Sequence, residues 1–148
     1  MHTLQHCWWQ ILVATVAYFA LGALWFNQKT LGAIWARSHG ISINPEDMKK
    51  APVGRIMGLG FVCTYFICAI ICWVCCQGMA CSPEGVCMSP GMLYCIKCGL
   101  AVGLAAFLSI SIGYLYQMKP LASFLTDGLY HLCGCVIAAA VLHGLGCC

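Results

Sequence analysis

The sequence predicts an all-α membrane protein: four transmembrane helices in a compact antiparallel bundle, with a short interfacial helix after the first span. Three observations carry this. Charged side chains are absent from residues 1–28, 56–83, 98–118 and 128–148, and each run reaches the ~20 residues that a helix needs to cross a hydrocarbon core. Of 148 residues, 62% are hydrophobic and 7% charged, with a mean hydropathy of +0.89, against roughly 25% charged in soluble domains. None of the runs alternates with a period of two, so helices rather than barrel strands must satisfy the backbone in lipid. One integral-membrane domain over residues 1–148 accounts for the chain. It leaves no room for a soluble catalytic domain, so no enzymatic activity is expected.

The first span is expected at about 7–26, with Trp8 and Trp9 at one end and Trp25 and Phe26 at the other. Only His2 and His6 precede it, and a signal peptide would carry a basic n-region and a shorter apolar stretch, so this run reads as a retained span. After it comes Asn27-Gln28-Lys29 and a short helix in which Leu31, Ile34 and Trp35 share one side. Arg37, Ser38 and His39 lie on or beyond the polar side. Trp25, Phe26, Asn27, Trp35 and Arg37 together form a membrane-interface signature: amphipathic rings at headgroup depth, with cations facing lipid phosphates. Asn44-Pro45-Glu46-Asp47 reads as a helix start, with a capping Asn, a proline at the first helical position and acids at the positive end of the dipole. The remaining spans are expected at about 56–79, 92–116 and 121–146. A loop rich in Pro and Gly separates the second from the third, and Lys119-Pro120 turns the chain between the third and fourth.

Loop charge sets the expected orientation. The first loop holds Lys29, Arg37, Lys49, Lys50 and Arg55, the second holds no Lys or Arg, and the third holds Lys119. The positive-inside rule then makes the first and third loops cytoplasmic and both termini non-cytoplasmic, in the inner membrane of the cell. Lys97, early in the third span, dissents and would snorkel outward. The net charge of +3 comes from this one loop and does not indicate nucleic acid binding. The expected partners are the lipid bilayer and a second copy of the chain, because small-residue spacings (Gly54/Gly58, Gly99/Gly103/Ala106, Gly134/Ala138) favour close helix contacts in lipid.

The residues Gly22-Ala-Leu-Trp25-Phe26, Leu31-Gly32 and Trp35 recur in a family pattern together with Tyr116, Lys119-Pro120, Asp127-Gly128 and Tyr130-His131. On these residues the chain resembles the bacterial membrane family catalogued as domain of unknown function 1761, over most of its length and with four spans in matching order. The resemblance implies a small multipass inner-membrane protein and brings no activity with it.

Two constellations carry chemistry. Asp127, His131 and Cys135 fall at i, i+4 and i+8 on the fourth span, with Tyr130 beside them, and form one intramembrane polar stripe. A carboxylate about two turns into a span is a functional-site hypothesis, and a neighbouring histidine can exchange protons near neutral pH. The alternative places Asp127 at the cytoplasmic interface, paired with Lys119, Lys29 or Arg55, and has His131 donating to a carbonyl or to Tyr130. The second constellation is sulfur: fourteen cysteines, most of them at the outer half. Cys72, Cys75 and Cys76 end the second span, Cys81 and Cys87 lie in the outer loop, Cys95-Ile-Lys-Cys98 opens the third span, and Cys7, Cys147 and Cys148 flank the termini. Cys75, Cys76, Cys81, Cys87, Cys95, Cys98, Cys147 and Cys148 are the metal or disulfide candidates. Lys97 inside the C-x-x-C would lower a thiol pKa.

The thiols admit three readings: disulfides in an oxidising compartment, small apolar filling for Cys63, Cys68, Cys133 and Cys135, or a soft-metal site for Cu(I), Hg(II) or Zn(II). No cofactor is expected beyond such a metal. No nucleophile elbow, phosphate loop or Ser/His/Asp set occurs. Three functions follow for an uncharacterised multipass protein: small-solute or ion transport through the bundle, soft-metal or thiol-redox handling by the outer cysteines, or a structural membrane subunit.

Overall fold

The computed structural model describes residues 7–40, 52–81 and 87–147. Its helices are α1 (Trp8–Trp25), α2 (Gly32–His39), α3 (Val53–Cys76), α4 (Met92–Tyr116) and α5 (Leu121–Gly144), and two residues each of β1 (Ala80–Cys81) and β2 (Cys87–Met88) join α3 to α4. The β pair is antiparallel, with Cys81 opposite Cys87. All the described helices but α2 are long and apolar enough to cross a membrane, so the chain is a helical membrane protein. The expected helix start at Asn44-Pro45-Glu46-Asp47 and Cys148 lie outside the described residues.

Local chemistry sets the boundaries. Pro52 precedes α3 and Pro120 precedes α5; proline fixes φ and cannot extend a helix backwards. Helix α3 therefore starts at Val53 and takes Arg55 into its first turn, three residues ahead of the charge-free run. Between α1 and α2 the Thr30 hydroxyl lies within 2.9 Å of the carbonyls of Leu24, Trp25 and Asn27, which closes the end of α1. Gly32 N–H donates to the Asn27 carbonyl at 3.0 Å, and a Cβ there would strike the Phe26 and Asn27 backbone. The α1–α2 corner thus requires glycine. The buried threonine hydroxyls are satisfied within their own helices: Thr15 donates to the Ile11 carbonyl at 2.7 Å, Thr64 to Gly60 at 2.8 Å and Thr126 to Ala122 at 2.6 Å.

Helix α5 is the hub and touches every other described helix, with α4 its most extensive neighbour. Small residues permit this. A Cβ on Gly99 would lie 2.6 Å from the Cys135 carbonyl oxygen and 2.7 Å from the Ala139 Cβ. At Gly103 it would lie 2.9 Å from the Leu132 Cα, and at Gly128 it would enter the Phe107 ring. On the α1 side, the Tyr18 ring occupies the space that a Cβ on Gly134 would need. The larger apolar residues point out: Leu100, Leu104, Leu108 and Ile112 form an exposed stripe on α4, and Leu59, Val62, Phe66, Ile70 and Trp73 form one on α3. Small residues inside and large ones outside is the arrangement for a lipid solvent, which supplies no hydrophobic drive between helices.

Gly54 and Gly58 depart from the expected packing. Among the described residues nothing lies within 4 Å of a Cβ placed on either, and residues 54–60 are exposed.

The contrast gives a stability prediction. Gly134→Ala must displace the Tyr18 ring and should destabilise by about 1–3 kcal/mol, the usual cost of overpacking. Gly58→Ala meets open space and should be neutral, or stabilise by up to about 1 kcal/mol through helix propensity. Thermal unfolding followed by circular dichroism in detergent separates the two. Equal midpoints would mean that the Tyr18 seat is not tight.

Candidate functional site

The stripe on α5 divides between two polar centres. Asp127 turns to α4 and α2: the Tyr114 hydroxyl donates to its Oδ2 at 2.5 Å, and His39 Nε2 stands 3.6 Å from the same oxygen. His39 Nε2 is also 3.2 Å from the Tyr114 oxygen. Both charged side chains are largely buried, His39 at 13% and Asp127 at 14% exposure. The expected lysine or arginine partners are not used. Lys29 and Arg55 are exposed, and among the described residues His39 is the ion-pair partner of Asp127. His39 closes α2, where the helix dipole favours a cation, and Gly40 ends the helix in the left-handed region at φ 68°.

The opposite ring nitrogen fixes the chemistry. His39 Nδ1 lies 2.9 Å from the Trp35 carbonyl. A carbonyl only accepts, so Nδ1 carries a proton. Nε2 then carries one only if the ring is an imidazolium. With a cationic ring, Nε2–H points at the Tyr114 and Asp127 oxygens and every group is paired. With a neutral ring beside ionised Asp127, an Nε2 lone pair faces a carboxylate.

The second centre is deeper along α5. The Tyr18 hydroxyl from α1 bonds His131 Nδ1 at 2.7 Å and lies 3.2 Å from the His131 carbonyl and 3.8 Å from Cys135 Sγ. The two centres are joined by rings: centroid separations are 5.4 Å for Tyr18–Tyr130, 5.1 Å for Tyr130–Phe26, 5.5 Å for Phe26–Trp35, 4.7 Å for Trp35–His39 and 5.6 Å for His39–Tyr114. Phe26 and Trp35, expected as headgroup anchors, are thus part of an aromatic chain against α5. Trp25 also turns to α5 and donates from Nε1 to the Thr126 carbonyl at 3.0 Å. Asn27 Oδ1 accepts from the Lys29 N–H at 2.9 Å, and Arg37 is exposed. Beside the chain, a cleft of about 390 Å³ opens between α1 and α3, with Phe19, Met57 and Gly60 on its walls and Tyr130 as its polar group.

At the other end of the bundle the sulfurs collect. Cys7, Cys72 and Cys147 are buried, and their Sγ atoms lie within 4.8 Å of one another. Cys76 Sγ reaches the Cys147 carbonyl at 3.6 Å. Cys75 Sγ contacts the Cys95 carbonyl at 3.8 Å, and Cys95 Sγ is 3.9 Å from His143 Nδ1. Cys95 and Cys98 are buried whereas Lys97 is exposed. One and two residues from the cysteines on a helix is a different face, so the expected lowering of a thiol pKa by Lys97 has no geometric basis. Cys7, just ahead of α1, has its pKa raised, chiefly by burial. Of the described cysteines expected as apolar filling, Cys68 and Cys135 are buried, Cys133 is half-buried and Cys63 is exposed.

Sequence reasoning missed Tyr18, Tyr114 and His39 as partners. Tyr18 and Tyr114 were visible as polar aromatic residues on otherwise unremarked helix faces and His39 on the polar side of the short helix, but nothing local says which neighbour each meets. Residues 9–143 match the family described as protein of unknown function DUF1761, and the chain belongs to it. No curated protein and no solved structure matches the chain.

Tyr18→Phe removes the bond to His131 and leaves a buried imidazole nitrogen unpaired. A loss of about 0.5–2 kcal/mol is expected, between the modest side-chain bonds measured in membranes and the full penalty of an unsatisfied group. Unfolding in detergent checks this. No loss of stability would mean that the His131 nitrogen finds water instead.

Proposed function

We propose that this DUF1761 family member is a proton-coupled carrier of a small solute or ion, with His39, Tyr114 and Asp127 as its proton site. The observation that carries the reading is the partner of Asp127, which is a histidine bridged by a tyrosine. An arginine or lysine would hold the carboxylate charged at every physiological pH. Histidine is the side chain whose charge changes in that range. The groups facing His39 are Asp127 on α5, Tyr114 on α4, and Ser38 and Trp35 on α2.

The proton has two resting places with the same heavy-atom positions. In one, the imidazolium and the Tyr114 hydroxyl both face ionised Asp127. In the other, protonated Asp127 donates to Tyr114, which donates to neutral His39. Removal of that proton sets the Nε2 lone pair against the carboxylate, and the ring must leave. Because His39 ends α2, its departure loosens α2 from α5 next to the Tyr130 cleft. The direction follows: α2 is docked while the shared proton is held and loosens when it leaves. In this reading the protein sits in the inner membrane with the α1–α3 loop cytoplasmic, as its four basic residues and Arg55 at the start of α3 favour, so the proton site opens inward. The work is transport and needs no catalysis.

Trp35 stacks on His39 and reports the step. Its fluorescence, isolated by difference against Trp35→Phe, should respond to pH in the wild type and be flat in His39→Gln and Asp127→Asn. A pH-dependent signal that survives both substitutions would remove the proton site. For carriage, proteoliposomes with an internal pH dye and imposed Na⁺ or K⁺ gradients should move protons faster than empty vesicles, and Asp127→Asn should abolish the difference. Full proton movement by Asp127→Asn would refute the coupling.

A further inference from the structure

The three thiols at the opposite end of the bundle belong to three separate elements. Cys7 precedes α1, Cys72 lies one turn before the end of α3, and Cys147 follows α5. They are 6%, 0% and 5% exposed. Cys7 Sγ donates to the Cys147 carbonyl at 3.1 Å, and the Sγ atoms of Cys72 and Cys147 are 2.9 Å apart. All the sulfurs of the triad fall within 4.8 Å of one another.

Three sulfur ligands at ~2.3 Å from one ion form a triangle with edges of ~4 Å. The observed sulfurs bracket that size. The close pair must open by roughly 1 Å and the widest edge must shrink by less than that, both within the reach of side-chain rotation. The ligand set contains sulfur alone, with neither carboxylate nor imidazole in the triad, which selects soft ions over Mg²⁺, Ca²⁺ or Mn²⁺. Structural zinc takes four ligands in a tetrahedron, whereas the three thiols that converge among the described residues suit a trigonal ion.

We propose that Cys7, Cys72 and Cys147 form a trigonal thiolate site for one soft cation of the Cu(I) type. Each thiol that ligates loses its proton to solvent, so binding one ion releases up to three protons with no change of oxidation state. The site shares no residue with His39, Tyr114 or Asp127, and it stands or falls independently of the carrier reading.

The test is a titration of reduced, anaerobic full-length protein in detergent with Cu(I), delivered from a chelator of known affinity. Wild-type protein should bind one equivalent that X-ray absorption shows to have three sulfur neighbours. Cys7→Ser and Cys147→Ser should each lose that equivalent, weakening it by more than the ~10–100-fold that follows loss of an outer-shell partner. Cys63→Ser, an exposed thiol on α3, should bind as the wild type does. If the serine variants fail to fold, the sulfur count on the wild type decides. Failure of the reduced wild type to hold Cu(I), fewer than three sulfur neighbours, or unchanged binding by folded Cys7→Ser and Cys147→Ser would each overturn the site. So would a Cys72–Cys147 disulfide found in protein whose thiols were trapped at lysis. Displacement of bound Cu(I) by equimolar Zn²⁺ would overturn the choice of a soft ion.

Discussion

The close approach of neighbouring helices to α5 is the constraint on which the rest of the bundle depends. Where Tyr18 crosses Gly134, the ring fills the volume of the missing side chain, which brings its hydroxyl to His131 and Cys135. Where Gly99 and Gly103 meet α5, backbone faces side chain and backbone, which holds α4 near enough for Tyr114 to reach Asp127. In water, burial of large apolar groups would do this work. In lipid the alternative solvent is equally apolar, so shape and polar pairing decide which helices touch. The polar groups therefore sit where the small residues are, and their placement follows from the packing.

Both polar centres consist of groups brought from different helices, and the rings between them are in contact from Tyr18 to Tyr114. The chain of rings passes through the α1–α2 corner, whose geometry Gly32 and Thr30 fix. A short helix that a hydropathy reading lays on the membrane surface is here a docked element: the His39 imidazole faces Asp127 of α5 and Tyr114 of α4, the Trp35 ring packs on Phe26, and Ser123 donates to the Ser38 carbonyl at 3.3 Å. The docking replaces the water that the Asp127 carboxylate would otherwise need. At this depth such replacement by fixed partners is what makes a carboxylate tolerable.

How much could be read beforehand depends on the range of the signal. The spans were legible because absence of charge is a local property, and the Gly99, Gly103 and Gly134 contacts were legible because close packing in lipid needs small residues at helical spacing. The same rule marks Gly54 and Gly58, which have the spacing and meet no described residue of the chain. Spacing says that a face can be approached, not that it is. The residues Asp127, Tyr130, His131 and Cys135, expected as one stripe, face different neighbours on α1, α2 and α4. A span with apolar residues on all sides carries little information about its rotation, so the partners Tyr18, Tyr114 and His39 could not be assigned. The sulfur triad was out of reach for the same reason, since its members are close only after α1, α3 and α5 have been placed together.

The meeting of Cys7 with Cys147 has a consequence for biosynthesis. The two residues are 140 positions apart, so the loop they close is nearly the whole chain. Domains assemble from the N-terminus as they are made, but here the start of α1 lacks its contacts with α5 and Cys147 until those residues have been made. α4 and α5 can pair as a hairpin on emerging, and α1 must wait in the bilayer for Gly134 to arrive. Completion of the bundle is therefore a late event, and a chain that stops short of α5 leaves Tyr18 and Cys7 without a place to go.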